Sequence, residues 1–225
     1  MEEARAYEEL RVGFTAAVSH ELRTPLARLL ALLESASLPA ADTKALLAQA
    51  REQVEEMSEL VDDVLFLSEL ESGREVVALG STAALPVLED VRDRLADSAE
   101  RADVTIRIAA DAGVELPLRR RMLQIIAENL VENSIRYAGP GSTLTLAARN
   151  GVLTAADDGR VVEEDELPRL FERFYRSDRA RASRGTGLGL AIVKHVVTAA
   201  AGEVEATGGP GHGLTVTCSF MSAPG

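Results

Sequence analysis

The first 71 residues contain two long series of apolar residues at helical spacing, and these constrain the fold more than any other feature. The first series lies on one helical face, at Phe14, Val18, Leu22, Leu26, Leu29 and Leu33. The second is a heptad pattern with steps of three and four, at Leu47, Ala50, Val54, Met57, Val61 and Val64. The sequence predicts a helix over Glu2–Ser35, a turn containing Pro39, and a second helix over Ala40–Glu71.

This helical hairpin has more apolar surface than two helices can cover by pairing with each other. Leu60 and Leu67 widen the stripe of the second helix further. A second copy of the hairpin would cover the remaining surface by completing a four-helix bundle. We therefore expect a homodimer.

Composition excludes several classes of function. The net charge of −12 argues against binding to nucleic acid, which requires a basic surface. Cys218, the only cysteine, reads as a buried strand residue; neither an internal disulfide nor a cysteine-built metal site is possible, which fits a reducing cytoplasm. No run approaches the roughly 20 apolar residues of a membrane span. We expect a soluble, cytoplasmic chain without a membrane span.

The pattern changes after Gly73 to short β-like runs between helical ones, which predicts a hairpin domain over 1–73 and an α/β domain over 74–225. The fold class is α+β: a helical hairpin, then an α/β sandwich with helices on one face of a mixed sheet. Strands are predicted over Arg74–Leu79, Val104–Ala109, Val114–Leu118, Thr143–Arg149, Val152–Ala156, Glu203–Thr207 and Gly213–Met221. Helices are predicted over Leu85–Arg101, Arg119–Tyr137 and Gly187–Ala201.

Two connections in the second domain have distinct signals. Asn150-Gly151 between two strands predicts a type I′ hairpin turn. The polar segment Asp158–Thr186 is long for a loop inside a compact domain, which is typical of a functional lid.

His20 lies off the apolar stripe of the first helix, toward solvent. Histidine is the side chain that is partly neutral near physiological pH, so a ring nitrogen can attack an electrophile such as a terminal phosphate. Glu21 could accept a proton from the other nitrogen, and Thr24 lies one turn further on the same face. An isolated histidine in this position would more simply be a surface residue, as we expect for His195 and His212.

Two segments of the second domain suit a nucleotide. Asn129 and Asn133 lie four residues apart on one helical face, where amide oxygens suit Mg²⁺, and Arg136 could reach phosphates. By themselves, two asparagines would be a solvated polar face. The segment R-G-T-G-L-G-L opens a predicted helix, where glycines let backbone N–H groups approach phosphate.

Four segments together resemble the motifs of sensor histidine kinases. S-H-E-L-R-T-P-L resembles the phospho-acceptor box, N-L-V-E-N-S-I-R-Y the N box, L-F-E-R-F-Y-R the F box and G-T-G-L-G-L the G2 box. They occur in the family's order and cover nearly the whole chain. The chain resembles the cytoplasmic core of such a kinase, with a dimerisation and phospho-acceptor hairpin followed by an ATP-binding domain.

The resemblance implies roles for individual residues. Asn133 would bind Mg²⁺ with support from Asn129, and Tyr137 would lie along the base or ribose. Phe171 and Phe174 would pack the lid, and Arg176 would lie near the terminal phosphate. The G2 box would bind the ATP phosphates through Gly185, Thr186, Gly187, Leu188 and Gly189.

One motif departs from the family pattern. D-D-G-R-V aligns with D-x-G-x-G, so Asp157 would bind the adenine amino group beside Gly159, but Val161 replaces the second glycine and Glu163 a later proline. A β-branched residue at positive φ is strained. We expect the lid to take a different path and ATP binding to be weakened.

The implied reaction is transfer of the ATP γ-phosphate to His20 and then to an aspartate of a response-regulator receiver domain. Glu21 and Thr24 resemble the family's E-x-x-[TN] motif, which implies dephosphorylation of the regulator as well. A non-catalytic scaffold or phosphatase, or a related ATP-driven clamp of the chaperone or topoisomerase kind, are the alternatives. A full-length protein of this type would usually carry a sensor domain upstream and can be membrane-anchored.

Overall fold

The computed structural model describes residues 2–38, 42–71, 80–177, 185–209 and 212–220; for residues 2–14 and 71 it describes the backbone. The chain divides into two compact units, Met1–Phe66 and Leu67–Gly225. The domain boundary predicted after Gly73 lies outside the described residues and stays a prediction. No helix in the described part of the chain is both long and apolar enough to cross a membrane.

The first unit consists of the two predicted helices. Helix α1 spans Glu2–Ala36 and continues through Pro25, and α2 spans Thr43–Glu71, so that its last residues enter the second unit. The carboxylate of Asp42 accepts a hydrogen bond from the Ala45 backbone N–H at 3.1 Å, which caps the start of α2. The predicted turn around Pro39 lies outside the described residues.

Apolar side chains of the hairpin lie on both buried and exposed faces. Ala50 and Leu60 are buried, whereas several apolar side chains of both helices are about half exposed: Leu26, Leu30, Leu33, Leu47, Val54, Val61 and Leu65. Alternate members of the predicted heptad pattern therefore face away from the interior of the hairpin.

The second unit contains three helices and a five-stranded mixed sheet. The helices are α3 (Ala84–Arg101), α4 (Arg120–Tyr137) and α5 (Gly189–Ala199). The strands are β2 (Val104–Ala110), β4 (Ser142–Arg149), β5 (Val152–Asp157), β6 (Glu203–Gly209) and β7 (His212–Ser219). The order is β2–β4–β5–β7–β6, with β2 parallel to β4 and the other pairs antiparallel. The predicted α+β fold class is confirmed.

A two-stranded sheet lies apart from the main one. Strand β1 (Thr82–Ala83) pairs antiparallel with β3 (Glu115–Leu116). The strand predicted over Val114–Leu118 is therefore shorter than expected, and β1 was not predicted. The strand predicted over Arg74–Leu79 lies outside the described residues.

Helix α4 lies between α3 and α5 and forms the centre of the core. Its fully buried residues follow helical spacing, at Met122, Leu123, Ile126, Ala127 and Val131. Burial alternates along β4, where Leu144 and Leu146 are fully buried and their neighbours only partly. This alternation is that of a sheet with helices packed on one face.

The connections and the end of the chain agree with the sequence analysis where they are described. Asn150 and Gly151 have φ values of +50° and +76° between the paired residues Arg149 and Val152, as a type I′ turn requires. Cys218 is buried in β7, and that burial raises the pKa of its thiol to about 12.

Candidate active site

His20 projects from α1 with 74% of its side chain exposed. Its Nδ1 lies 3.3 Å from a carboxylate oxygen of Glu21, the next residue. When Nδ1 carries the proton and donates a hydrogen bond to Glu21, the unprotonated Nε2 has the free lone pair. The geometry therefore leaves Nε2 as the nitrogen that can attack an incoming phosphoryl group.

Thr24 lies on the same face of α1 as His20. Both line one shallow depression on the helix surface, together with Arg23, Ala27 and Arg28. Residues four apart on a helix are surface neighbours, which explains this grouping. The two arginines give the surroundings of His20 a positive charge that suits phosphate.

The two asparagines of α4 have different surroundings. The Asn129 amide nitrogen donates to the Ile125 carbonyl at 2.8 Å, and a Cβ atom on Gly189 would lie 2.7 Å from Asn129 Oδ1. Asn129 therefore braces the start of α5. Asn133 is half-buried, and its side chain makes no hydrogen bond to another described residue. Its amide oxygen is thus available to a cation.

The end of α4 packs against the loop before α5. A Cβ atom on Gly185 would lie 2.8 Å from the Tyr137 hydroxyl oxygen and 3.3 Å from Arg136 Nη1. Gly185 has a φ of +141°, so glycine is favoured for both reasons. The structure therefore brings Arg136 and Tyr137 next to the predicted phosphate loop.

The glycine-rich loop packs against the end of the F box. Phe174 donates its N–H to the Gly187 carbonyl at 2.9 Å, and a Cβ on Gly187 would lie 2.9 Å from the Phe174 Cα and carbonyl carbon. Phe174 has a φ of +61°, which is rare for a bulky residue. The two segments thus form one tightly packed joint.

The contact between Phe174 and Gly187 positions the remaining residues of the G2 box at the start of α5. The Leu188 N–H donates to the buried Thr186 hydroxyl at 3.2 Å, and α5 begins at Gly189. Backbone N–H groups at this helix terminus suit phosphate. Arg176 is half-buried. It lies near the end of the described part of the predicted lid, because residues 178–184 lie outside the described residues.

Asp157 ends strand β5 and is held there by one carboxylate oxygen. Oδ1 accepts hydrogen bonds from the backbone N–H groups of Gly159 at 3.0 Å and Leu214 at 3.2 Å. Burial raises the pKa of Asp157, and the nearby Asp158 charge adds to this, while the two N–H bonds oppose it. Oδ2 carries neither of these bonds and is the oxygen available to a ligand amino group.

The surroundings of Asp157 require glycine at two positions. A Cβ atom on Gly159 would overlap the backbone of Ala138, and one on Gly213 would overlap the Asp157 carboxylate. The sequence analysis did not identify Gly213, although the run G-G-P-G-H-G-L was a signal for close backbone approach. It also did not identify Ser134, whose hydroxyl oxygen is buried on α4 without a hydrogen-bond partner among the described residues.

Val161 does not adopt the backbone conformation of the glycine that it replaces. It has a negative φ, and 38% of its surface is exposed. The preceding Arg160 N–H donates to the Ala138 carbonyl at 2.9 Å. A strained backbone at Val161 is therefore excluded, while the expected effect on affinity stays a prediction.

Two protein-family models match the chain. The His Kinase A (phospho-acceptor) domain matches residues 10–73, and the histidine kinase-, DNA gyrase B-, and HSP90-like ATPase matches residues 119–224. His20 lies in the first match. Asn133, Asp157 and the G2 box lie in the second.

Proteins of known name are similar over nearly the whole chain. The phosphate regulon sensor protein PhoR of Pseudomonas aeruginosa is 38% identical over 229 residues, which cover 96% of this chain and 51% of PhoR. The sensor-like histidine kinase SenX3 of Mycolicibacterium smegmatis is 32% identical over 226 residues, covering 96% of this chain and 59% of SenX3. The chain thus spans little more than half the length of these relatives.

Solved structures support the same assignment. The Acinetobacter baumannii histidine kinase AdeS superposes with a TM-score of 0.72 at 25% identity, covering 91% of this chain and 98% of that chain. Histidine kinase ThkA, solved in complex with the response regulator protein TrrA, has a TM-score of 0.75 at 17% identity, over 97% of this chain and 64% of that chain. The second likeness shows the fold alone. With both family domains present in order, the chain belongs to the sensor histidine kinases and carries the two domains of their catalytic core.

Proposed function

We propose that the chain is an ATP-dependent protein-histidine kinase. It transfers the γ-phosphate of ATP to His20 and then to an aspartate of a response-regulator receiver domain. The observation that carries the proposal is the exposed His20 imidazole, paired with Glu21 inside the phospho-acceptor match, on the same chain as an ATPase-like unit.

The proposed transfer uses the tautomer that the Glu21 contact favours. His20 Nε2 attacks the γ-phosphorus, the bond from that phosphorus to the bridging oxygen breaks, and ADP leaves. The imidazolium that forms loses its Nδ1 proton to Glu21, 3.3 Å away, which leaves an anionic phosphoramidate with a neutral imidazole ring. Attack by the regulator's aspartate then breaks the N–P bond.

The proposed nucleotide site lies in the second unit. Asp157 reads the adenine amino group, and Asn133 holds Mg²⁺, which fits an amide that forms no hydrogen bond to another described residue. When bound, Mg²⁺ would neutralise charge on the transferring phosphate. The remaining residues that we assign to the nucleotide are Asn129, Arg136, Tyr137, Gly159, Arg176, Gly185, Thr186, Gly187, Leu188 and Gly189.

The assembly and location are part of the proposal. The half-exposed apolar side chains of α1 and α2 support a homodimer through the hairpin domain, residues 1–73, followed by the ATP-binding domain, residues 74–225. A response regulator is the partner, as the structure of ThkA with TrrA suggests by analogy. We place this core in the cytoplasm, without nucleic acid as a partner and with membrane anchoring left to the full-length protein.

Phosphorylation with radiolabelled ATP and Mg²⁺ tests the reaction. The chain should acquire a label that is lost in acid and retained in alkali, as expected of a phosphoramidate. His20→Gln should abolish the label. His212→Gln is a matched control, because His212 is exposed and lies outside the phospho-acceptor match. Label that persists in His20→Gln would refute the assignment, and a chain that binds ATP without acquiring label would favour the non-catalytic scaffold.

A further inference from the structure

The Arg136 side chain connects two segments of the candidate nucleotide site. One nitrogen of its guanidinium, Nη2, lies 3.5 Å from Oε2 of Glu132, one turn earlier on α4. The other, Nη1, lies against the predicted phosphate loop, because a Cβ atom on Gly185 would be 3.3 Å from it. The guanidinium therefore reaches from a carboxylate of α4 to the start of the G2 box.

The surroundings of the guanidinium restrict its orientation. Only 29% of the Arg136 side chain is exposed, against 43% for Glu132. The Tyr137 hydroxyl lies at the same point of the loop, 2.8 Å from the Cβ position of Gly185. A guanidinium is planar and its donors have fixed directions, so a partner that holds one nitrogen also determines where the others point. The ion pair with Glu132 thus helps to direct Nη1 toward the loop.

We propose that Glu132 is a positioning residue, which orients Arg136 toward the phosphates of the bound nucleotide through their ion pair. Arg136 has several rotatable bonds, and a side chain that is ordered only when the ligand binds lowers the affinity. Glu132 orders it beforehand. The inference rests on the proposed nucleotide site and adds to it a residue that acts through Arg136.

The proposal predicts an effect opposite in sign to that of simple charge repulsion. Glu132 is a negative charge beside a site for a polyanion, so repulsion alone would make its removal strengthen nucleotide binding. Exposure of its side chain to solvent and salt keeps this repulsion small. Loss of an orienting partner would instead weaken binding, and only while the Arg136 guanidinium is present. A background without the guanidinium therefore separates the two effects.

Calorimetric titration with a non-hydrolysable ATP analogue and Mg²⁺ at physiological ionic strength tests the inference on four full-length chains: the parent, Glu132→Gln, Arg136→Met and the double variant. Glutamine keeps the size of glutamate without its charge. We expect Glu132→Gln to lower the affinity roughly threefold in the parent. In the Arg136→Met background the same change should leave the affinity level or raise it by up to about twofold. The melting temperature of Glu132→Gln should stay near that of the parent, because a partly exposed ion pair contributes little to stability.

Glu128→Gln is the matched control. Glu128 is a carboxylate one turn before Glu132 on the same helix, but its ion pair is with Arg94 of α3. Its replacement should leave the affinity within about 1.5-fold of the parent value.

Three results would decide against the inference. An affinity that stays level or rises in Glu132→Gln would mean that Glu132 only repels phosphate, and an equal loss in both backgrounds would indicate a general packing effect. Should Glu132→Gln not fold, Glu132→Asp shortens the side chain and gives the same comparison. A parent chain that does not bind the analogue would overturn the proposed function and this inference together, whereas the first two results in a parent that binds would overturn this inference alone.

Discussion

The proposed nucleotide site depends on glycine residues as much as on residues with functional side chains. Asp157 is approached so closely by the Gly213 backbone that no Cβ atom fits between them. The carboxylate is thereby fixed between the end of β5 and the start of β7, with the Leu214 N–H bound to it. Small changes at Gly213 should move the carboxylate and affect base recognition directly.

Gly213→Ala should weaken binding of a non-hydrolysable ATP analogue at least about tenfold, because the new methyl group displaces Asp157. Overpacking of this kind also costs about 1–3 kcal/mol of folding free energy. Calorimetry and thermal unfolding measure the two effects. Gly113→Ala is the control, since a Cβ there has open space, and both measurements should stay near the parent values. Unaltered affinity in Gly213→Ala would show that the contact has no part in binding.

Val161→Gly tests whether the departure from the family motif limits binding. The native Val161 has a negative φ, so the glycine would gain access to conformations that valine avoids. We expect ATP-analogue affinity to rise by up to about tenfold. Folding stability should fall by about 0.5–1 kcal/mol, because glycine gives the unfolded chain more freedom. An affinity equal to or below that of the parent would show that Val161 does not limit binding.

The sequence predicted those site residues whose motif lies on one element. Asn129, Asn133, Arg136 and Tyr137 occur on one helix, so their common face follows from helical periodicity. Gly213 was missed because its importance arises from a contact with Asp157 between segments distant in sequence. Leu214, for example, is 57 residues from Asp157 along the chain. Local sequence patterns do not predict contacts between residues that are distant in sequence.

At the scale of the elements, α1 presents the proposed phospho-acceptor and a second polar residue on one surface. His20 and Thr24 are both exposed and line the same depression. The attack that dephosphorylates a regulator requires an oriented water molecule, and a hydroxyl one turn from the histidine is suited to hold it. The two activities should therefore be separable by mutation.

Thr24→Ala should retain self-phosphorylation of His20 to within about twofold and lose most dephosphorylation of a phosphorylated receiver domain. Alanine favours helix, so α1 should persist. Time courses of label on the chain and of label lost from the regulator measure the two activities. Ser19→Ala is a suitable comparison, since the Ser19 hydroxyl only donates to the Thr15 carbonyl of the preceding turn, at 2.8 Å. An equal decrease of both activities in Thr24→Ala would mean that Thr24 merely supports the helix.

Elements with a strong repeat were predicted within a few residues, and the exceptions have physical causes. The long helices and the hairpin of β4 and β5 have clear periodicity and turn chemistry. Strand β1 has two residues, which is too short for any alternation to be visible. The positive φ of Phe174 also had no signal, because it results from packing against Gly187.

For the whole molecule, the most informative feature is the set of exposed apolar side chains on the hairpin, which a partner would bury. Leu47, Val54 and Val61 are spaced by seven residues on α2 and are 42–56% exposed. Such a repeat is typical of a helical interface. A solvated helix face would instead carry polar residues at these positions.

Val54→Asp combined with Val61→Asp should convert the proposed dimer to a monomer. Two buried charges without partners cost several kcal/mol at an interface, which is more than twice the roughly 1.4 kcal/mol of a tenfold change in affinity. Light scattering at micromolar concentration should give twice the chain mass of 24.0 kDa for the parent and the chain mass for the variant. Glu55→Gln with Asp62→Asn alters neighbouring exposed positions and should remain dimeric. A parent of 24.0 kDa would exclude the homodimer.

The double attachment of Asp157 has a practical consequence for observing the protein at work. The amide protons of Gly159 and Leu214 are hydrogen-bonded to Asp157 Oδ1. The other carboxylate oxygen, Oδ2, is the one that we assign to the purine amino group. Charge drawn toward a bound purine is withdrawn from these amides, so their nuclear magnetic resonance signals should move upfield on nucleotide binding. Under the proposed assignment of Asp157, these two amides are native reporters of nucleotide occupancy that need no dye and do not depend on phosphate transfer.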